Sequence, residues 1–599
     1  MTVESLITQH IDTWTSSVKT QSTSGRGSRK KLELYGVKKL RELILELAVR
    51  GKLVPQDPND EPASVLLERI AAEKVQLVKE KKIKKPKKPP SIDEIELPNY
   101  ILPIGWKWAF IPEVVAHDNY AIKRGPFGSA LKKAYFVASG YKVYEQQHAI
   151  NDDFLRGEYY VDEKKFEELK AFEVKPFDLI ISCSGTVGTV AIAPVDMERG
   201  IINQALLKIS LNTSALTNEY FKILFPAYYM KTETLSDLQG TAQKNMVSVE
   251  TLKSEPFPYP PIEEQHRIVA KVDELMALCD QLEQQTEASI ETHQLLVSTL
   301  LNTLTNSADA DELMENWTRI SDHFDTLFTT EASIDQLKQT ILQLAVMGKL
   351  VPQDPNDEPA SVLLERLNIK RNDWLLEFSG TDNECKTMLR KLKQLGQPKS
   401  PFPLPKTWVC VHLIELSRLL VDCHNKTAPY VDSGIPIIRT TNIREQKFVN
   451  KDLKYVNQET YEYWSRRCPP QHGDIMFTRE APMGEALIVP EGSKWCLGQR
   501  TMLIRPMHDY VSNEFLLLAL TEPHLLERAS EHAVGLTVKH LRVGDVENLN
   551  VPIPPLREQY EIVSRVNELM VICDQLKQRL KESQITQLYL TDTIVEQAV

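Results

Sequence analysis

No run of apolar residues in this chain approaches the ~18–20 needed to cross a bilayer, and its polar opening, MTVESLITQH, does not read as a secretory signal. The eight cysteines are scattered. Lacking a CxxC pair and any paired Cys/His spacing, they argue against structural zinc and suit a reducing cytoplasm. Catalytic signatures are missing as well. There is no GxxxxGK[ST] phosphate loop, no HExxH, no GxSxG and no GxGxxG after a strand. Nor is there an Asn/Asp-Pro-Pro-Tyr/Phe element of the kind amino-methyltransferases use; the nearest string, PYPP at Pro258–Pro261, stands at an expected helix start. Positive charge is short too. At a net charge of −11 the surface is not coated for nucleic acid, so any such contact must be a local patch or be completed by another subunit. The remaining composition, 42% hydrophobic and 26% charged, is that of an ordinary folded protein. The chain reads as non-catalytic.

What is present is a repeat. GKLVPQDPNDEPASVLLER occurs at Gly51–Arg69 and, without a change, at Gly348–Arg366. The period is close to half of the chain, far beyond the ~20–50 residues of solenoid repeats. The register continues on both sides. His10-Ile11-Asp12-Thr13 matches His323-Phe324-Asp325-Thr326, with a polar, basic addition at Thr20–Lys31 in the first copy. Asp178-Leu179-Ile180 matches Asp474-Ile475-Met476, and Gly240 and Lys244 match Gly535 and Lys539. Pro260-Pro261, Glu264-Gln265 and Ile268-Val269 match Pro554-Pro555, Glu558-Gln559 and Ile562-Val563. Between these anchors the halves differ. Each half is thus a common frame carrying its own insert of roughly 150 residues, long enough to bury a core. The expected division is 1–99 (frame and basic linker), 100–255 (first insert), 256–400 (central frame), 401–550 (second insert) and 551–599 (C-terminal helix).

Periodicity assigns the elements. Leu40, Leu43, Ile44, Leu47 and Ala48 give Leu34–Val49 a helical stripe, with Gly51 as its C-cap. VPQDPNDEP is turn-rich, and a second helix begins near Ala63. It runs into the basic stretch Lys79–Lys88, read first as a solvated linker and second as a phosphate contact. Within the inserts, Phe177–Pro194 and Gly473–Pro490 each read as strand, glycine turn, strand, and Asn218–Tyr229 and Asn513–Ala529 as helices. The class is α+β. After each closing proline cluster a helix carries apolar residues at heptad spacing: Ile268, Val272, Leu275, Cys279 and Leu282, then Ile562, Val566, Leu569, Cys573 and Leu576. That is a coiled-coil seam.

Two copies of a helical frame with different inserts strongly resemble the DNA specificity subunit of type I restriction-modification enzymes, and the long N-terminal segment resembles its B subfamily. The likeness covers essentially the whole chain. It is carried by LAVRGKLVPQDP and LAVMGKLVPQDP, by PPIEEQHRIVAKVDEL and PPLREQYEIVSRVNEL, and by the DLIISCSGTVG/DIMFTREAPMG pair. It implies two mixed α/β target-recognition domains separated by a long antiparallel helical spacer, related by a pseudo-twofold. It also implies double-stranded DNA as ligand and two methyltransferase subunits as partners, with restriction subunits recruited through them. S-adenosylmethionine, ATP and magnesium are then expected on those partners and no cofactor on this chain. The physics agrees: identical frames suit one partner bound twice, and different inserts suit two different half-sites.

Base edges are read by Arg or Lys at guanine and by Asn or Gln at adenine, from polar loops. In the first insert the candidates are Lys123, Arg124, Ser129, Lys142, Tyr144, Gln146, Gln147 and His148. The turn residues Ser182, Ser184 and Thr186 and the later Gln243, Lys244 and Asn245 join them. The matching places of the second insert hold Arg439, Thr440, Asn442 and Arg444, then Arg479 and Glu480, then Lys539 and His540. Lys244 and Lys539 are the same in both halves, which suits a phosphate contact. Two rival readings stay open: a structural adaptor whose inserts bind protein, and a DNA-modifying enzyme with an unrecognised site. The order of the pieces also predicts that the C-terminal seam helix packs near the helix Leu34–Val49, repeating without a covalent link the pairing at the centre of the chain.

Overall fold

The computed structural model describes residues 3–21, 31–84, 89–98, 100–231, 246, 248–308, 310–424, 426–480, 482–530 and 540–599. Contacts divide the chain into two compact units, residues 1–288 with 583–599, and residues 289–582. The frame includes the helices α1 (Tyr35–Val49), α2 (Ile262–Asn306), α3 (Glu331–Val346) and α4 (Leu556–Ala598). Among the described residues no helix is long and apolar enough to cross a membrane.

In the first unit the predicted stripe of α1 is buried throughout, as are the seam residues Ile268, Val272, Leu275, Cys279 and Leu282. Arg41 on α1 forks to Asp280 and Glu283 of α2, each at 2.7 Å. The other flank of α1 is held by the end of α4. Tyr35 Oη donates to Asp592 at 2.7 Å, and Lys52 Nζ to the Val599 carbonyl at 2.5 Å. The second unit repeats this arrangement with the chain continuous. Lys338 on α3 pairs with Asp574 of α4, and Asp335 with Lys577 at 2.7 Å. The end of α2 lies on the other flank: Gln336 donates to Ser298 at 2.9 Å and Lys349 to the Thr305 carbonyl at 2.8 Å. Each frame helix therefore runs antiparallel to the start of its own seam helix and parallel to the end of the other. The C-terminal helix does pack beside the N-terminal frame helix, as the repeat predicted. Here Ile562, Val566 and Cys573 are buried, while Leu569 and Leu576 are half-buried against the same core.

Each insert is attached through one antiparallel strand pair, Lys107–Phe110 with Pro256–Tyr259 and Val409–His412 with Asn550–Ile553. A carboxylate fastens this stalk to the repeated loop. Glu264 accepts from the Trp106 indole at 2.8 Å and from Gln56 at 2.7 Å; Glu558 accepts from Trp408 at 3.0 Å and from Gln353 at 2.6 Å. The next residue ties the insert to the helix start. Gln265 accepts from Thr217 N at 2.9 Å, and Gln559 from Ser512 N at 2.8 Å. Gly51 and Gly348 have φ of +66° and +70°, and a Cβ there would stand 2.4 and 2.6 Å from Pro103 and Pro405, the opening prolines of the inserts. Glycine is required on both counts.

Inside each insert lies a four-stranded antiparallel sheet. In the first it is formed by β1 (Ile122–Arg124), β2 (Leu179–Ser182), β3 (Val190–Ile192) and β4 (Leu206–Ile209), in the order β3-β2-β4-β1. In the second, β5 (Ser417–Asp422), β6 (Ile475–Thr478), β7 (Ala486–Ile488) and β8 (Thr501–Pro506) adopt the same order, β7-β6-β8-β5. The central strands β2 and β6 are buried at every position, so apolar residues run continuously rather than alternating. A second sheet holds a parallel pair in both inserts, Tyr141–Tyr144 with Gly200–Ile202 and Ile435–Ile438 with Cys496–Leu497. It has five strands in the first insert and three in the second, which is where the two depart most.

Candidate nucleic-acid interface

One corner of the main sheet gathers several of the candidate side chains. In the first insert β1 ends at Arg124, and β2 leads through Cys183 into the hairpin turn. The chain returns at Met246, whose N–H donates to the Cys183 carbonyl at 3.0 Å, while Cys183 N donates to Ala205 O at 2.8 Å. The second insert builds the same corner: Leu541 N donates to Arg479 O at 3.1 Å and Arg479 N to Arg500 O at 2.9 Å. The ladder fixes the correspondence. Leu207 faces Ile181 and Arg124, and Met502 faces Phe477 and Asp422. Cys183 therefore corresponds to Arg479, and Arg124 to Asp422.

The side chains at this corner converge. Arg124 donates through Nη1 to the Met246 carbonyl at 3.3 Å, with its guanidinium 5.6 Å from the centre of the exposed Phe127 ring. Arg479 donates through Nη1 to the Leu541 carbonyl at 3.2 Å and pairs through Nη2 with Asp422 at 2.9 Å. Beside the corner a short helix turn begins at Gln146 in one insert and Thr440 in the other. Gln146 Nε2 is 4.0 Å from where a Cβ on Gly185 would stand, so this turn and the hairpin turn are neighbours.

Several predicted readers are engaged in the fold instead, and for these the sequence expectation is corrected. Lys142 is buried and pairs with Glu198 at 2.7 Å. Tyr144 is buried and donates to Glu198 O at 2.5 Å. His148 and Asn442 are buried, each accepting from a backbone N–H three residues earlier, at 2.9 and 3.1 Å, and so capping their own helix turns. Ser182, also buried, accepts from Thr189 N at 3.0 Å, and Thr440 is buried too. YKVYEQQH is an interior strand followed by a self-capped turn, not one of the polar loops from which base edges are read.

The other candidates keep exposure. Thr186 lies at the hairpin tip, Ser184 beside it is part-exposed, and Gln147 donates to Glu145 at 3.0 Å. The Lys123 ammonium sits 5.0 Å from the Phe172 ring centre. Arg439 donates to the Asp452 carbonyl, Arg444 folds back onto Thr440 O at 2.5 Å, and Glu480 pairs with Arg500 at 2.5 Å. His540 is half-buried where the second insert's chain returns. The Ser129 side chain, Gln243, Lys244, Asn245 and Lys539 lie outside the described residues. Sequence reading missed Asp422, Phe127 and Arg500; only strand register brings them to this corner.

The two inserts are therefore alike in backbone and different in side chains at one corner. Comparison with known proteins accounts for that pattern. A family model described as the type I restriction modification DNA specificity domain matches residues 128–292 and 405–587. The chain belongs to that family. Each match covers most of an insert of this specificity subunit and runs on into the long helix after it. Two relatives from Escherichia coli, the EcoAI and EcoEI specificity subunits, are each 38% identical with 100% of both chains covered. A solved HsdS subunit from Thermoanaerobacter tengcongensis aligns over 84% of this chain and 98% of its own at 17% identity, with a TM-score of 0.39.

Proposed function

We propose that this specificity subunit reads an asymmetric, two-part DNA sequence, one half-site per insert, with no chemistry of its own. The observation that carries the reading is the shared corner. Same ladder, same returning segment and same anchoring stalk present Gln146, Ser184 and Thr186 in one insert, Arg439 and Glu480 in the other. A backbone kept constant while its side chains change charge is what two readers of different bases need. The repeated frame supports one kind of partner bound twice, two methyltransferase subunits. Leu278 and Ile572, Leu295 and Tyr589, and Leu296 and Leu590 are matched positions of the two long helices, and all six are exposed apolar residues. Restriction subunits join through these partners, and S-adenosylmethionine, ATP and magnesium belong to them.

The test is a domain exchange. Replacing residues 103–255 with the insert of another specificity subunit, followed by mapping methylated bases across a genome, is expected to change one half-site and leave the other and the gap length unchanged. A change in both half-sites, or in neither, would refute the assignment.

A further inference from the structure

The corner shared by the two inserts contains in each one guanidinium bonded to the returning segment, but these arginines are not aligned in sequence. In the first insert the arginine stands at the end of β1, opposite Leu207 of β4, with a buried Cys183 following β2 on the far side of that strand. In the second the position of Cys183 is Arg479 and the position of Arg124 is an aspartate, Asp422. The guanidinium has changed strands and kept its job. From either strand its Nη1 donates to the carbonyl of the matched residue of the returning segment, the one whose N–H bonds to the Cys183 or Arg479 carbonyl: Met246 O at 3.3 Å or Leu541 O at 3.2 Å. From either strand its Nε is buried without a hydrogen-bond partner among the described residues.

A solvent-reaching base reader would have no reason to hold the same internal carbonyl in two domains that read different bases. A buried carbonyl at the end of a returning segment does need a donor in both. We infer that this guanidinium is an anchor common to the two domains, carried by Arg124 in the first and Arg479 in the second. It positions the reading surface by holding the returning segment to the sheet, and Arg479 does not itself read a base. The inference rests on the DNA-reading function above, and Asp422 follows from it. With the arginine moved to the strand next but one, the vacated position faces a cation at 2.9 Å, and an acid there balances its charge.

A strand swap tests this in the complete complex with its methyltransferase subunits. Arg479→Cys alone, and Asp422→Arg alone, which puts two guanidiniums at one carbonyl, are each expected to lower the melting temperature and to weaken DNA binding about tenfold or more, equally for the target and its single-base variants. The double variant D422R/R479C rebuilds the first domain's arrangement in the second. It is expected to regain the wild-type melting temperature and binding within about threefold, with unchanged base preference. A double variant no more stable than Arg479→Cys overturns the anchor, because the position is then not interchangeable. A double variant that is stable and binds but prefers a different base also overturns it, because Arg479 is then a reader. Wild-type complex that binds all sequences alike would refute the DNA-reading function itself, and the melting temperatures would still judge the anchor.

Discussion

Lys52 Nζ donates to the backbone carbonyl of Val599 at 2.5 Å, joining residues from the two ends of the sequence. The matched lysine of the second copy, Lys349, makes the same bond to Thr305 at 2.8 Å, where helix and frame belong to one continuous stretch. Covalent continuity is therefore not what places the frame helix. A permuted protein in which Val599 is linked to the N-terminal segment, opened inside 307–311, should fold, assemble with methyltransferase subunits and modify the same target. Methylation mapping checks this. A folded permutant that binds no methyltransferase subunit would show that the central connection is needed as a chain.

The joint at the foot of the second insert is expected to be pH-sensitive. Burial pushes Glu558 up to about 7 against the donors Gln353 and Trp408, which act the other way. An acid whose folded pKa is raised holds a proton that the unfolded chain has released. Stability contributed here is therefore full below about 4.5, the ordinary carboxylate value, and is lost as pH rises towards about 7. The melting temperature of the wild type should fall across that window by more than that of Glu558→Gln. The difference is worth at most ~3–4 kcal/mol, at ~1.4 kcal/mol per pKa unit. Thermal melts of both proteins between pH 5 and pH 8 (roughly the range in which such groups titrate) decide it; parallel curves would place the titration elsewhere.

The two anchors differ in charge. Asp422 pairs with Arg479, whereas among the described residues no carboxylate pairs with Arg124. Removing Arg124 as Arg124→Met should weaken binding across sequences and reduce the magnitude of the salt slope by about one. D422N/R479M, which removes a neutral pair, should leave the slope unchanged. Binding isotherms at several salt concentrations give both numbers.

The seam positions are not equal. Leu275 is 1% exposed, and Leu569 is only half-buried. Leu275→Asp should cost about 3 kcal/mol or more and abolish methylation at all sites, because an unpaired charge is buried. Leu569→Asp should cost about half as much. Melting temperature with a methylation assay measures each.

The frame was legible because its constraints are local and doubled. Gly51 and Gly348 must cap a helix against a proline, and Glu264 and Glu558 must hold the same Trp and Gln, so identity survives in both copies. The reading corner was not. A sequence alignment sets Arg479 against Cys183 and shows only a change of charge; that Arg124 supplies the matching guanidinium depends on which strand neighbours which. Lys142, Tyr144 and His148 were misplaced for a related reason. Their polar groups are satisfied by Glu198 and by nearby backbone atoms, and hydrogen bonds of that kind leave no periodic trace.

Each insert enters and leaves its frame through two neighbouring antiparallel strands, Lys107–Phe110 with Pro256–Tyr259 in the first case. The two ends of the insert therefore lie side by side, so a block exchanged between those strands meets its frame at the same two points. On the proposed reading, in genetic terms, a single gene segment would carry a single half-site, bounded on both sides by coding sequence for the frame. Recombination between two such genes can then yield a lineage with a new target while every partner protein is inherited unchanged.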